Sequence, residues 1–117
     1  MRNETLKAAS LRGGEDCLQK LAQCFPGAQP MRLPALVTAL RPGGMALREN
    51  VIVEFLTHWE ALFLSKLPLE FTDTVQLEFP DAAAQAKACV VALHYHDSSK
   101  AVAVRFETKL GAQLLKR

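Results

Sequence analysis

Apolar and polar positions alternate along most of this chain after residue 30. Val75, Leu77 and Phe79 alternate cleanly with Thr74, Gln76 and Glu78, as in a half-buried strand with one wet face. Val51, Val53 and Phe55 point one way, and Ile52 and Glu54 the other. From Glu60 to Phe106 four strands follow one another. The first carries Ala61-Leu62-Phe63-Leu64 and leads into Leu67-Pro68-Leu69; then come Thr74–Phe79, Lys87–Tyr95 and Lys100–Phe106. His96-Asp97-Ser98-Ser99 supplies the turn chemistry between the last two. Pro80-Asp81 and the alanines up to Ala86 read as a helical turn or a loop. From Met31, Leu33, Ala35, Val37 and Ala39 alternate with a second set that is itself rather apolar, so helix stays open there. Pro34 is awkward inside a helix and Pro42-Gly43-Gly44 makes a sharp turn, which favours a strand; Pro34 suits its start or an edge.

The period is different at the two ends. Residues 1–12 are weakly helical, with Leu6 and Leu11 as contacts, and Gly13-Gly14 breaks the run. Glu15–Phe25 predicts a helix: Glu15 and Asp16 sit in its first turn, where the dipole favours acids. Leu18, Leu21, Ala22 and Phe25 recur at helical spacing, and Pro26-Gly27 ends it. Glu107–Arg117 predicts a second helix, with Leu110 and Leu114 on one face. The expected architecture is therefore mainly β: six antiparallel strands with an N-terminal and a C-terminal helix. Such strands make a small barrel or a sandwich, and a barrel is preferred because closure removes sheet edges. Residues 1–30 would form an N-terminal helical extension and residues 31–117 the barrel with its helix.

Composition narrows the function. The 117 residues suit one domain, and 50% hydrophobic with 22% charged residues is ordinary for a globular chain. A net charge of +2, with no Lys/Arg block, argues against a nucleic acid polymer as partner. No apolar run follows the first residues and none approaches a membrane span, so neither a signal peptide nor membrane insertion is expected, and the default location is cytoplasmic. On one helix Cys17 and Cys24 would lie about 10 Å apart, too far for a disulfide. With Cys89 in an apolar run, all three read as packed, reduced thiols.

The candidate chemistry is thin. His94 and His96 share a strand face, and with His58 or Asp97 they could begin a zinc site; the favoured reading puts one on the solvent face and the other in the turn. Ser98-Ser99 beside His96 and Asp97 has triad residue types without triad geometry or a G-x-S-x-G elbow. Glu54 and Glu60 read as surface carboxylates. Gly13, Gly14, Gly43 and Gly44 match no phosphate loop. No catalytic residue, metal or cofactor is expected. Trp59, at a polar turn, reads as a cap on one end of the barrel or as an anchor for a partner.

Three segments resemble the PilZ domain: Ala61-Leu62-Phe63-Leu64 leading to Leu67-Pro68-Leu69, the strand Thr74–Phe79, and the ending Val102-Ala103-Val104-Arg105-Phe106. The likeness runs from Val51 to Phe106 and extends back to Met31. It implies a six-stranded antiparallel barrel with a helix after the last strand. It also implies a role in bacterial signalling, as a receptor for cyclic di-GMP or as a partner in type IV pilus assembly. The family grips the nucleotide with R-x-x-x-R before the first strand and D/N-x-S-x-x-G before the strand matching Ala61–Leu64. Paired guanidinium donors and a bare backbone make those motifs work. This chain has neither. Arg32 takes the second arginine position while Ala28 takes the first, and Leu56, His58 and Ala61 stand where the acid or amide, serine and glycine belong. Glu60 adds an anion where phosphates would lie, a repulsion on the order of 4 kcal/mol before screening.

The resemblance and these departures together imply a non-enzymatic signalling adaptor that acts through protein contacts, with a protein partner or as a homodimer. Its expected contact faces are Leu18, Leu21 and Phe25 on the helix, and the surface around Trp59. Cyclic di-GMP binding is expected to be lost or weak. The alternative is a divergent cyclic di-GMP receptor. In that reading Arg32, Arg41 and Arg48 meet at one mouth of the barrel through the Pro42-Gly43-Gly44 hairpin, with His58 and Trp59 near the ligand.

Overall fold

The computed structural model describes residues 13–109 together with Leu114. One helix, α1 (Gly13–Ala22), precedes six strands: β1 (Gln29–Leu40), β2 (Ala46–Leu56), β3 (Glu60–Ser65), β4 (Thr74–Phe79), β5 (Ala84–His96) and β6 (Ser99–Phe106). The strands close into a barrel in the order β1-β2-β3-β6-β5-β4, every neighbouring pair antiparallel. The mainly β architecture expected from the alternation is therefore present. Leu67-Pro68-Leu69 lies in the β3–β4 connection, and β5 begins at Ala84, inside the stretch read as a turn. A 3-10 turn at Pro80–Ala82 precedes it. The weak helix expected over residues 1–12 lies outside the described residues. So does most of the C-terminal one, whose first residues Glu107–Lys109 are not helical. Leu114 is fully buried in the barrel core.

The period of two sorts each strand. Val37, Val53, Phe63, Leu77, Val90 and Val104 point inward and have no exposed surface, as pleated strands with one buried face require. Phe79 and Phe106 meet edge to face at one end, with ring centroids 6.4 Å apart. α1 packs on the outside of the barrel, where its Cys17, Leu18 and Leu21 cover Leu62, Ala101 and Ala103. The two alanines leave room for a helix to lie close to the sheet. This corrects the expected contact face. Leu18 is 1% exposed and Leu21 8%, so the barrel itself already occupies that face; Phe25 is partly buried in the same cluster.

The connections define two mouths. At the first lie the start of β1, the β2–β3 turn, the ends of β4 and β6, and Leu114. At the second lie the β1–β2 hairpin, the β3–β4 loop and the β5–β6 hairpin. Gly43 (φ 87°) and Gly44 (φ 84°) make the β1–β2 reversal, a left-handed backbone that side-chain-bearing residues rarely adopt. Among the described residues no helix is long and apolar enough to cross a membrane.

Candidate functional site

The β2–β3 turn, Thr57-His58-Trp59-Glu60, is the most heavily braced feature of the first mouth. Thr57 Oγ1 accepts the backbone N–H of Trp59 at 3.0 Å and of Glu60 at 2.8 Å. The same hydroxyl donates to the Glu60 carboxylate. Main-chain bonds close the turn: Thr57 N–H donates to Glu60 O at 2.9 Å, and Phe106 N–H to Trp59 O at 2.7 Å. From the neighbouring strand, Arg105 forks onto Glu60 Oε2, with Nε at 2.9 Å and Nη2 at 2.8 Å. The turn is thus held by its own hydroxyl and by a charge-assisted pair. What it presents outward is His58, exposed, and the indole of Trp59, 43% exposed.

Arg32 stands near the same mouth on β1, its side chain 70% exposed and 3.8 Å from Glu54. A cleft of about 370 Å³ runs beside it between α1 and the barrel, lined by Leu18, Gln19, Met31, Arg32, Glu54 and Phe55 among others. Gln29 pairs with Leu56 and Pro30 with Phe55, so the segment before β1 and the β2–β3 turn are neighbours. The three arginines do not meet there. Arg41 follows the last residue of β1, nine positions after Arg32, which is about 30 Å along an extended strand. Arg41 instead holds the second mouth: Nη1 bonds Asp73 Oδ2 at 3.0 Å and Nη2 bonds Pro68 O. Arg48 is exposed on β2, opposite Thr38. The expected arginine cluster is therefore corrected, because the long β1 separates its members.

The remaining polar groups of the second mouth tie down the β3–β4 loop. Glu49 accepts from Ser65 Oγ at 2.6 Å and from Lys66 N–H at 3.1 Å. Lys100, 8% exposed, donates to Leu67 O and lies 5.8 Å from the centre of the Tyr95 ring. His96 Nε2 is 3.4 Å from Asp97. Among the described residues no cluster of His, Cys, Asp and Glu could hold a metal ion. Cys17 is buried, Cys89 half-buried and Cys24 exposed, all three as free thiols.

Thr57 and Arg105 are the site residues that sequence reasoning missed. A signal existed for the first: Thr-x-x-Glu is the spacing at which a hydroxyl and a carboxylate brace a chain reversal. None existed for the second, since only the β3–β6 register sets Glu60 against Arg105. Glu60 is thus engaged by Thr57 and Arg105, and Arg32 lies beside Glu54, while the indole of Trp59 is presented outward. No protein-family model matches the chain. No curated protein matches it either.

Proposed function

We propose that this chain is a PilZ-like, non-enzymatic adaptor barrel that works through protein contacts at the first mouth, with Trp59 as the anchor. One observation carries the reading. Where the family's two nucleotide motifs would fall side by side, this chain has Ala28, a half-paired Arg32, a buried Leu56 and a braced turn that offers an aromatic ring. The family's way of gripping phosphate uses free guanidinium forks; here Arg105 is committed to Glu60, Arg32 lies beside Glu54, and Arg41 is at the far mouth. Protein contacts are often anchored by a partly exposed aromatic side chain, and Trp59 is 43% exposed on a braced turn. The opposed reading, a divergent cyclic di-GMP receptor, would have to bind without Arg32 and Arg41 acting together, since they lie at opposite ends of β1.

Calorimetric titration with cyclic di-GMP separates the two. The adaptor reading expects no binding at micromolar concentrations. Micromolar affinity that disappears in Arg32→Ala would overturn it in favour of the receptor.

A further inference from the structure

A closed barrel still has ragged rims where neighbouring strands differ in length, and each overhang leaves backbone groups facing sideways without a ladder partner. The described residues contain three long overhangs. β1 pairs with β4 only over Leu36–Ala39, which leaves Gln29–Ala35 open on that side. That stretch carries Pro30 and Pro34, which have no N–H to offer, and the charged Arg32. β2 pairs with β3 only over Val53–Leu56. Its open stretch carries Arg48 and Glu49, and Glu49 fills the gap by bonding Ser65 and Lys66. Both edges are thus blocked in the usual ways, by proline and by charge.

Among the described residues the third overhang is bare. β5 pairs with β4 over Ala84–Cys89, and Val90 is bonded by Thr72 and Asp73 of the β3–β4 loop. From Val91 to His96 no described residue pairs with β5 on the side away from β6. A bulge between Val90 and Ala92 resets the hydrogen-bonding parity. The two-residue hairpin loop, Asp97-Ser98, makes His96 and Ser99 the bonded pair next to the turn. His94 and Ala92 then also bond toward β6, and Leu93 and Tyr95 turn their N–H and C=O groups outward. The stretch Val91–Tyr95 holds no Pro, Lys, Arg, Asp or Glu. Tyr95 is 65% exposed, and so is Phe71, beside the Thr72 that marks the root of the overhang.

We infer that this overhang is a homodimer interface. A second copy of the chain lays its own β5 overhang antiparallel against the first, across a two-fold axis through His94. In that register Leu93 exchanges main-chain bonds with the partner's Tyr95, and Tyr95 with the partner's Leu93. The occupant follows from symmetry and charge. Antiparallel pairing about a two-fold axis matches donors to acceptors on one and the same edge. The absence of acids and of Lys or Arg lets two copies meet without repulsion. Each Tyr95 ring then covers the partner's Leu93, an aromatic–aliphatic cross-strand pair. The contact is short, well below the roughly 1,600 Å² of a standard interface, so the dimer is weak and depends on concentration. It lies at the second mouth, away from Trp59, and stands independently of the adaptor reading.

Sedimentation velocity of the full chain, from low micromolar to near-millimolar concentration, tests it. The expected result is a mass that rises from one chain to two. Tyr95→Glu, at an exposed position where the new carboxylate faces Lys100, should stay monomeric with an unchanged circular dichroism spectrum, while Trp59→Ala should dimerise like the parent. A chain that remains monomeric near millimolar overturns the proposal, as does a dimer that survives Tyr95→Glu. Amide exchange of the parent protein gives a second reading that needs no variant. Protection at Leu93 and Tyr95 should grow with concentration; protection that does not change would mean the edge is covered within one chain and would equally end the proposal.

Discussion

Thr57 is a single hydroxyl that serves three groups at once, and it shows how much of the first mouth rests on one side chain. Its oxygen satisfies two backbone N–H groups in a turn too tight for them to find carbonyl partners, and its proton goes to Glu60. Thr57→Val keeps the shape and removes all three bonds. Thr57 is itself buried at 8% exposure and the two donors would lose their acceptor, so the expected loss of stability is about 1–3 kcal/mol. Urea unfolding measures that loss. The chain has one tryptophan, so its fluorescence anisotropy reports the turn directly and should fall in the variant as the indole gains freedom. An unchanged midpoint together with unchanged anisotropy would show that the main-chain bonds and the Arg105–Glu60 pair hold the turn without the hydroxyl.

At the scale of elements, what the sequence disclosed depends on whether local or remote residues decide the outcome. β4 was legible to the residue, Thr74–Phe79, because its wet and dry faces differ strongly in polarity. β5 was legible from Lys87 to Tyr95 but not at its start. Its first residues, Ala84 and Ala86, look helical by composition, but in the barrel they oppose Phe79 and Leu77, and small side chains are what fit beside those large ones. Here packing overrides propensity. α1 was legible as a helix from its apolar period, whereas its docking site was not: nothing about Ala101 and Ala103 taken alone marks them as a helix seat. The arginines failed for a related reason, since adjacency across a hairpin holds near the turn and β1 runs far beyond it. The docked helix has a measurable consequence. If α1 were an extension held out for a partner, Leu18→Ala would leave the fold unaffected. Because Leu18 is sealed against Leu62 and the β6 alanines, its truncation should destabilise the protein by about 2–4 kcal/mol in chemical unfolding.

For the molecule as a whole, the question is where a closed cylinder opens first. β3 and β6 share six paired positions, Glu60–Ser65 against Lys100–Arg105. β1 and β4, whose contact completes the circle, share four, Leu36–Ala39 against Val75–Glu78; β2 and β3 share three but are tied together by the braced turn between them. Both pairings join segments a similar distance apart in sequence, Leu36 with Glu78 in the seam and Glu60 with Arg105 in β3–β6, so loop entropy weighs on the two alike and the shorter ladder is what sets the seam apart. Side-chain packing cannot fully compensate, because Pro34 and the 3-10 turn at Pro80 stop the ladder on the first-mouth side. The seam should therefore open locally at a lower free energy than the barrel unfolds. Hydrogen exchange in sub-denaturing urea distinguishes the two regimes residue by residue. Those amides of Leu36–Ala39 and Val75–Glu78 that bond across the seam should exchange with little dependence on denaturant, while the alternate ones, which bond β2 or β5, stay protected. Those of β3 and β6 should exchange only with the global transition and its full denaturant sensitivity. Equal protection all the way around would mean that the barrel has no seam and that closure is as cooperative as the rest of the sheet.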